Sequence, residues 1–150
     1  MTISTGVVGL GVVFKVGDGG GTQIFTEVAN VTDIKVGGRT VEEIDFTHLS
    51  STGGYKEFRP GFKDAGTISF NMHFDPVHVT QNGSARGIEG LLNSGAVFDF
   101  KIDFANTGKN KMFTGSGFIK TDDIDVSATN ALTAAVTVRI TGPLALVDSA

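Results

Sequence analysis

The chain has 150 residues, 40% apolar and 19% charged, with 21 glycines, three prolines, twelve phenylalanines and no cysteine. That length allows one domain with a real core. The composition excludes a disordered chain, a collagen, a disulfide scaffold and any thiolate-held zinc or iron–sulfur centre. A net charge of −4 lacks the basic excess with which duplex-binding proteins displace counterions from phosphate.

Within Met1 to Gly17 the run from Val7 to Val16 is apolar, but no Lys or Arg precedes it and Lys15 closes it. A signal peptide needs a basic start, and a membrane span needs about twenty apolar residues. The expectation is a soluble protein made in the cytoplasm, with no membrane partner. Weak alternation follows at 9–16, 26–36 and 42–49. It is strong where Ile68, Phe70, Met72 and Phe74 alternate with Thr67, Ser69, Asn71 and His73. Ser84 is placed to cap a short helix with Ile88, Leu91 and Leu92 on one face, stopped by Gly95. Strong alternation returns at Phe98, Phe100, Ile102 and Phe104, weakens over 112–120 and 124–126, and is clear again at Val136, Val138 and Ile140. Glycine clusters at 17–21 and 37–38, Asn106-Thr107-Gly108 and Thr129-Asn130 punctuate these runs as turns.

A period of two with one oily face marks half-buried antiparallel strands. The fold class expected is mostly β: an antiparallel β-sandwich or barrel of seven or eight strands, with one short flanking α-helix and a long loop. No linker or repeat divides residues 1–150, so a single domain is expected. The loop, Ser50 to Gly66, packs Tyr55, Phe58, Arg59 and Phe62 into a short stretch. Left wet, those aromatics are costly. The loop either folds back on its own sheet or buries itself on a partner, since Tyr, Phe and Arg are residues that interfaces favour.

Catalytic patterns are weak. His73, Asp75 and His78 are close in sequence, but Pro76 ends the strand between them and no third ligand is near. Glu42 and Glu43 point to opposite faces of a strand. Asp122, Asp123 and Asp125 lack the glycine and distal glutamate of a calcium loop and read as solvated surface. Gly17 to Gly21 precedes a strand-like run, so it lacks the helix N-terminus of a phosphate cradle. No enzyme activity, cofactor or metal is expected.

The run Gly53-Gly54-Tyr55-Lys56-Glu57-Phe58-Arg59-Pro60-Gly61-Phe62-Lys63-Asp64-Ala65-Gly66, followed by Ser69-Phe70 and Phe74-Asp75-Pro76, resembles the signature of the major tail tube proteins of long-tailed bacteriophages. Phe25-Thr26-Glu27-Val28-Ala29, Val31-Thr32-Asp33-Ile34 and Glu43-Ile44-Asp45-Phe46-Thr47 resemble the same family. The likeness covers residues 20 to 105 well and the ends by layout. It implies a virion structural protein whose six copies close into a ring, with rings stacked into the tube through which DNA is ejected. Relatives often add an immunoglobulin-like domain at the C-terminus, which is expected to be absent here. The implied partners are further copies of the chain, the tape measure protein, the tail terminator and the tail tip proteins. DNA would pass without specific binding.

The resemblance makes 50–63 an inter-ring arm. Its contact residues would be Tyr55, Lys56, Phe58, Arg59, Pro60, Phe62, Lys63 and Asp64, with the cations pairing with acids on the next ring. Four strands from each of six subunits give a barrel of about 24 strands, about 48 Å across at a tilt near ~40°. Side chains leave a bore of roughly 38 Å, wider than a DNA duplex. The polar faces of three strands are candidates for its lining: 67–73, 99–103 and 137–139. Asp99, Lys101 and Asp103 are the residues placed there. Two other readings stand beside this one: the inner tube of a contractile tail or secretion system, and a small β-sandwich that binds a ligand or carbohydrate. The second would usually expose Trp or Tyr, of which the chain has none and one.

Overall fold

The protein is described by a computed structural model covering Gly6 and residues 8–149. The expectation of no N-terminal leader lies partly outside those residues. The strands are β1 (Val13–Gly17), β2 (Phe25–Glu27), β3 (Val31–Gly37), β4 (Thr40–Asp45), β5 (Phe58–Asp64), β6 (Thr67–His73), β7 (Phe98–Asp103), β8 (Lys111–Asp125) and β9 (Thr133–Asp148). One helix, α1 (Ile88–Ser94), lies between β6 and β7. Among the described residues all the strand pairings are antiparallel, in the order β2-β1-β7-β8-β9-β6-β3, while β4 and β5 pair only with each other. The mostly β, antiparallel expectation holds, with nine strands among the described residues. The weak run 26–36 breaks at Asn30, whose φ is 62°. The runs 112–120 and 124–126 join into the single long strand β8.

The seven strands cannot lie flat. Phe14 of β1 and Phe70 of β6 are four strands apart in the sheet, a span of ~19 Å at ordinary strand spacing. Their ring centroids are nevertheless 4.8 Å apart. The sheet folds over along the β8–β9 hairpin. β7 pairs only with Met112–Gly117 of β8, and β6 only with Thr133–Arg139 of β9. The two long strands shift register between Thr114 and Ser116 and between Ile119 and Thr121. Such bulges bend a strand and increase its twist. One layer is thus β2-β1-β7 with the first half of β8 and the second half of β9. The other is β3-β6 with the remaining halves. Between them lie Phe14, Phe70, Phe100, Ile68, Met72, Ile102, Val136 and Val138, each at most 2% exposed. All but Phe14, which lies in the weak run 9–16, are residues the strong alternation marked.

α1 closes one side of the core with Ile88 and Leu91. Gly95 ends it in the left-handed conformation, as expected. Ser84 does not cap it: the capping position is Gly87, in extended backbone with no side-chain bond. The turn that carries Ser84 packs against the helix so closely that a Cβ on Gly90 would lie 1.9 Å from the Ser84 carbonyl oxygen. That segment is held by a polar core residue instead. Gln81 is fully buried; its Nε2 donates to the carbonyls of Ala29 (2.7 Å) and His73 (3.1 Å), and its Oε1 accepts from the Asp75 N–H (2.6 Å). Gln81→Leu keeps the volume but orphans all three groups. It is expected to cost about 1–3 kcal/mol, read as a lower urea midpoint at unchanged m-value.

The acidic run 122–125 is not uniformly solvated. Asp123 and Asp125 are exposed, but both carboxylate oxygens of Asp122 are sealed from solvent. The register explains it. Asp122 lies opposite Val136, a core residue, so it occupies an inward-facing slot.

Candidate assembly surfaces

Residues 50–66 are only half loop. Their second half is β5, which pairs with β4 to make a hairpin, and the pair joins no other strand. The sequence signal for this was suppressed because neither strand buries a face: every β4 residue is exposed, so no oily side imposes a period of two. Pro60 is tolerated because each strand of a lone hairpin is an edge. A bulge between Val41 and Glu43 twists the pair. The tip carries its own bonds. Thr47 Oγ1 accepts from the Glu57 N–H (2.9 Å), Ser51 Oγ donates to Glu57 Oε2 (2.6 Å), and His48 Nε2 lies 3.2 Å from the same oxygen. A 3-10 turn spans Thr52–Gly54.

The hairpin displays Phe62 (87% exposed), Tyr55 (77%) and Leu49 (fully exposed), together with Val41, Ile44, Phe46 and Phe58. An exposed apolar group of this density is a mark of an interaction surface. Arg59 does not stand free: its guanidinium lies over the Phe46 ring, 4.8 Å from the centroid. Lys56 and Lys63 make no ion pair among the described residues. Asp64 has a partner in its own chain. Arg139 donates from Nη2 to Asp64 Oδ2 (2.6 Å) and from Nη1 to the Gly66 carbonyl (3.1 Å). This guanidinium holds the Asp64 carboxyl below the usual carboxylate range, and Asp64 in turn raises Arg139. Asp64 therefore fixes the hairpin's root to β9.

The three lumen candidates on β7 are engaged within the chain. Asp99 accepts from Ser116 Oγ and Gln23 Nε2, which lower its pKa. Burial works against the ionised form of Asp103, but donors from Ala105 N, Ser149 Oγ and Lys15 Nζ outweigh it. Lys101 Nζ sits 4.1 Å above the Phe25 ring.

On the other layer, the polar runs 67–73 and 137–139 fall on one surface. The registers align Lys35, Ser69, Thr137 and Thr121 in a row, and Asp33, Asn71, Ala135 and Asp123 in the next. Thr67, Thr133 and Asp125 extend this face. Its one arginine, Arg139, is occupied by Asp64, so hydroxyls, amides and acids dominate. This layer has four strands and ends on two edges without a strand partner among the described residues: β3, and residues 118–125 of β8 on the side away from β9. The sequence could not give those edges, because nothing in β8 says where its pairing with β7 stops.

Among the described residues no three His, Asp or Glu side chains group as a metal site, and no helix is long and apolar enough to cross a membrane. A family model described as "Lambda phage tail tube protein, TTP" matches residues 18–146. No curated protein matches the sequence. In fold the chain is similar to the tail of an empty gene transfer agent particle refined with C6 symmetry (20% identity, TM-score 0.69, covering 91% of this chain and 95% of that one). It is also similar to the SPP1 tail tube (13%, 0.64, 96% and 80%) and to a chain of the PVC sheath–tube complex of an extracellular contractile injection system (12%, 0.68, 97% and 94%).

Proposed function

The chain belongs to the lambda phage tail tube protein family, structural subunits of the particle's tail, and from that premise we propose that it closes into six-membered rings whose stacking builds the conduit for DNA. The β4–β5 hairpin is the inter-ring arm. Tyr55, Phe58 and Phe62 are its apolar anchors, Lys56 and Lys63 meet acids on the next ring, and Pro60 shapes the strand. Arg59 presents its stacked guanidinium edge, and Asp64 acts through the root. The observation that carries the arm's role is a hairpin that pairs with no strand of either layer among the described residues and yet displays large apolar side chains along its length.

The four-stranded layer lines the bore. Six copies give the barrel of about 24 strands, closed by pairing β3 of one subunit with residues 118–125 of β8 in the next, which leaves no open edge. The arm is joined to β3 and β6, strands of this same layer, and in the proposed tube it reaches toward a neighbouring ring. A lining of hydroxyls and acids repels phosphate and lets DNA slide, which Asp99, Lys101 and Asp103 on the other layer would not decide. Tape measure, terminator and tip proteins would meet the ends of such a stack. The contractile inner tube fits the fold as well, but the family match favours the non-contractile tail.

Electron microscopy of the concentrated protein tests the tube. Hollow filaments are expected, and a strictly monodisperse chain of 15.7 kDa overturns it. Strand order has its own test, because the chain is free of cysteine. Lys35→Cys is combined in turn with Thr121→Cys, Asp123→Cys and Asp125→Cys. One of these registers is expected to give oxidised ladders ending at the hexamer on non-reducing gels, as facing strand positions meet disulfide geometry. Tubes that form with no ladder from any pair would refute the edge assignment.

A further inference from the structure

Asp122 is a carboxyl where the register calls for an apolar side chain. It shares its face of β8 with Ile119 and Ile124, opposite Val136 and next to α1. Its two oxygens are sealed from solvent and receive no hydrogen bond from any N–H or O–H of the described residues. What faces them from α1 is the carboxyl of Glu89; from β8 itself comes Asp123, and from β9 the apolar Val136. No cation among the described residues acts on the site. Two facing carboxyls can hydrogen-bond only when one of them holds a proton, because two carboxylates offer only acceptors.

We propose that a protonated Asp122 donates to the Glu89 carboxylate as a latch that fastens α1 to β8, and that the latch opens when Asp122 ionises. With the proton in place, one carboxyl donates to the other and the sealed oxygens are satisfied. Without it, two negative charges face each other with the Asp122 oxygens sealed from solvent, and the helix moves off the strand to hydrate them. Burial pushes the Asp122 carboxyl up to about 7, with Glu89 and then Asp123 adding to the shift. In the unfolded chain the group is an ordinary aspartic acid near 3.8. The folded state therefore holds the extra proton between these values. The contribution to stability is fully present below about 4, declines as pH rises through about 7, and is gone above it. The lowered carboxylates, Asp64 among them, have the opposite sign and act below about 4, so the two windows are separate. This inference concerns the single subunit and stands apart from the tube reading.

The test uses the full chain, kept dilute enough to remain unassembled, with its carboxyl carbons labelled. One aspartate carboxyl is expected to titrate between about 6 and 8 by NMR, and that resonance is expected to vanish in Asp122→Asn. A midpoint below about 5 would overturn the latch. Amide exchange gives the second reading. After correction for intrinsic rates, protection of the Leu91 and Gly95 amides in α1 is expected to fall about tenfold or more from pH 6 to pH 8. It should hold level in Asp122→Asn. Equal protection at both pH values in the native chain would show that ionisation does not release the helix. Both measurements on the native protein decide the matter even if Asp122→Asn fails to fold.

Discussion

Phe62→Ser combined with Leu49→Ser is expected to leave the subunit folded and stop the tube from growing. Both side chains are almost wholly in solvent, and the Phe62 backbone bond to Glu42 (3.3 Å) survives the change. Surface replacements of this kind move stability by ~0.5 kcal/mol or less. In the proposed tube Phe62 is an anchor with Leu49 exposed beside it on the same hairpin, and a central aromatic anchor is worth about 2 kcal/mol or more. Lost from each arm, that raises the concentration needed for growth roughly 30-fold when counted per subunit, and much more when a whole ring must dock at once. Phe62 is a cleaner site than Phe58, which lies directly opposite Asp45, so a charged or polar replacement there disturbs the hairpin itself. Thermal melting and electron microscopy of the double variant check the two halves. Native-length tubes at native protein concentration would remove the arm from inter-ring contact.

Gly66→Ala is expected to damage the subunit before assembly begins, by about 3–4 kcal/mol. Gly66 is buried at the root of the arm with φ at +83°, where an L side chain is strained by ~1–2 kcal/mol. Its Cβ would also lie 2.1 Å from the Gly37 carbonyl oxygen and 2.7 Å from the Gly38 carbonyl carbon, both backbone and so unable to swing aside. Any shift breaks what Gly66 holds: its carbonyl accepts from Ile140 N and Arg139 Nη1 (3.1 Å each), and its N–H donates to Asp64 Oδ1 (2.8 Å). A melting temperature about 10 °C lower is expected for a domain this size. Gly21→Ala, where nothing lies within 4 Å, serves as the control and should change little. A Gly66→Ala protein that melts with the native one would mean the two turns at the arm's root are free to separate.

The two changes separate what the hairpin does from what positions it. Its outer side chains are exposed and contribute nothing visible to the fold, and in the proposed tube they belong to contacts with another copy. Its root is fixed by Arg139, Asp64 and Gly66, and in the proposed tube this fixing aims the arm. The Arg139–Asp64 pair also takes the one arginine of the four-stranded face out of reach of a passing phosphate. One ion pair thus serves both the direction of the arm and the character of the proposed bore.

Period-two alternation determined the strands that carry the core. Phe70, Phe100 and Val138 were legible because each sits in a strand with one dry and one wet face, and that asymmetry is written residue by residue. The same logic located the helix from Ile88, Leu91 and Gly95, and a distinctive run of glycines, aromatics and a proline pointed to the family. It could not see β4 and β5, because a strand wet on both faces leaves no alternation. It misplaced Asp122, because a bulge after Ile119 changes which way later side chains point, and bulges are set by packing. Ser84 looked like a cap for a similar reason: whether a serine reaches a helix end depends on where a turn is pinned, here by Gln81. The pairing limits of β8 and β9, and with them the fold-over, the free edges and the shared hydroxyl face, were decided only in three dimensions. Each depends on which strands lie side by side, and strand neighbours are chosen by burial across the whole domain rather than by any local run of sequence.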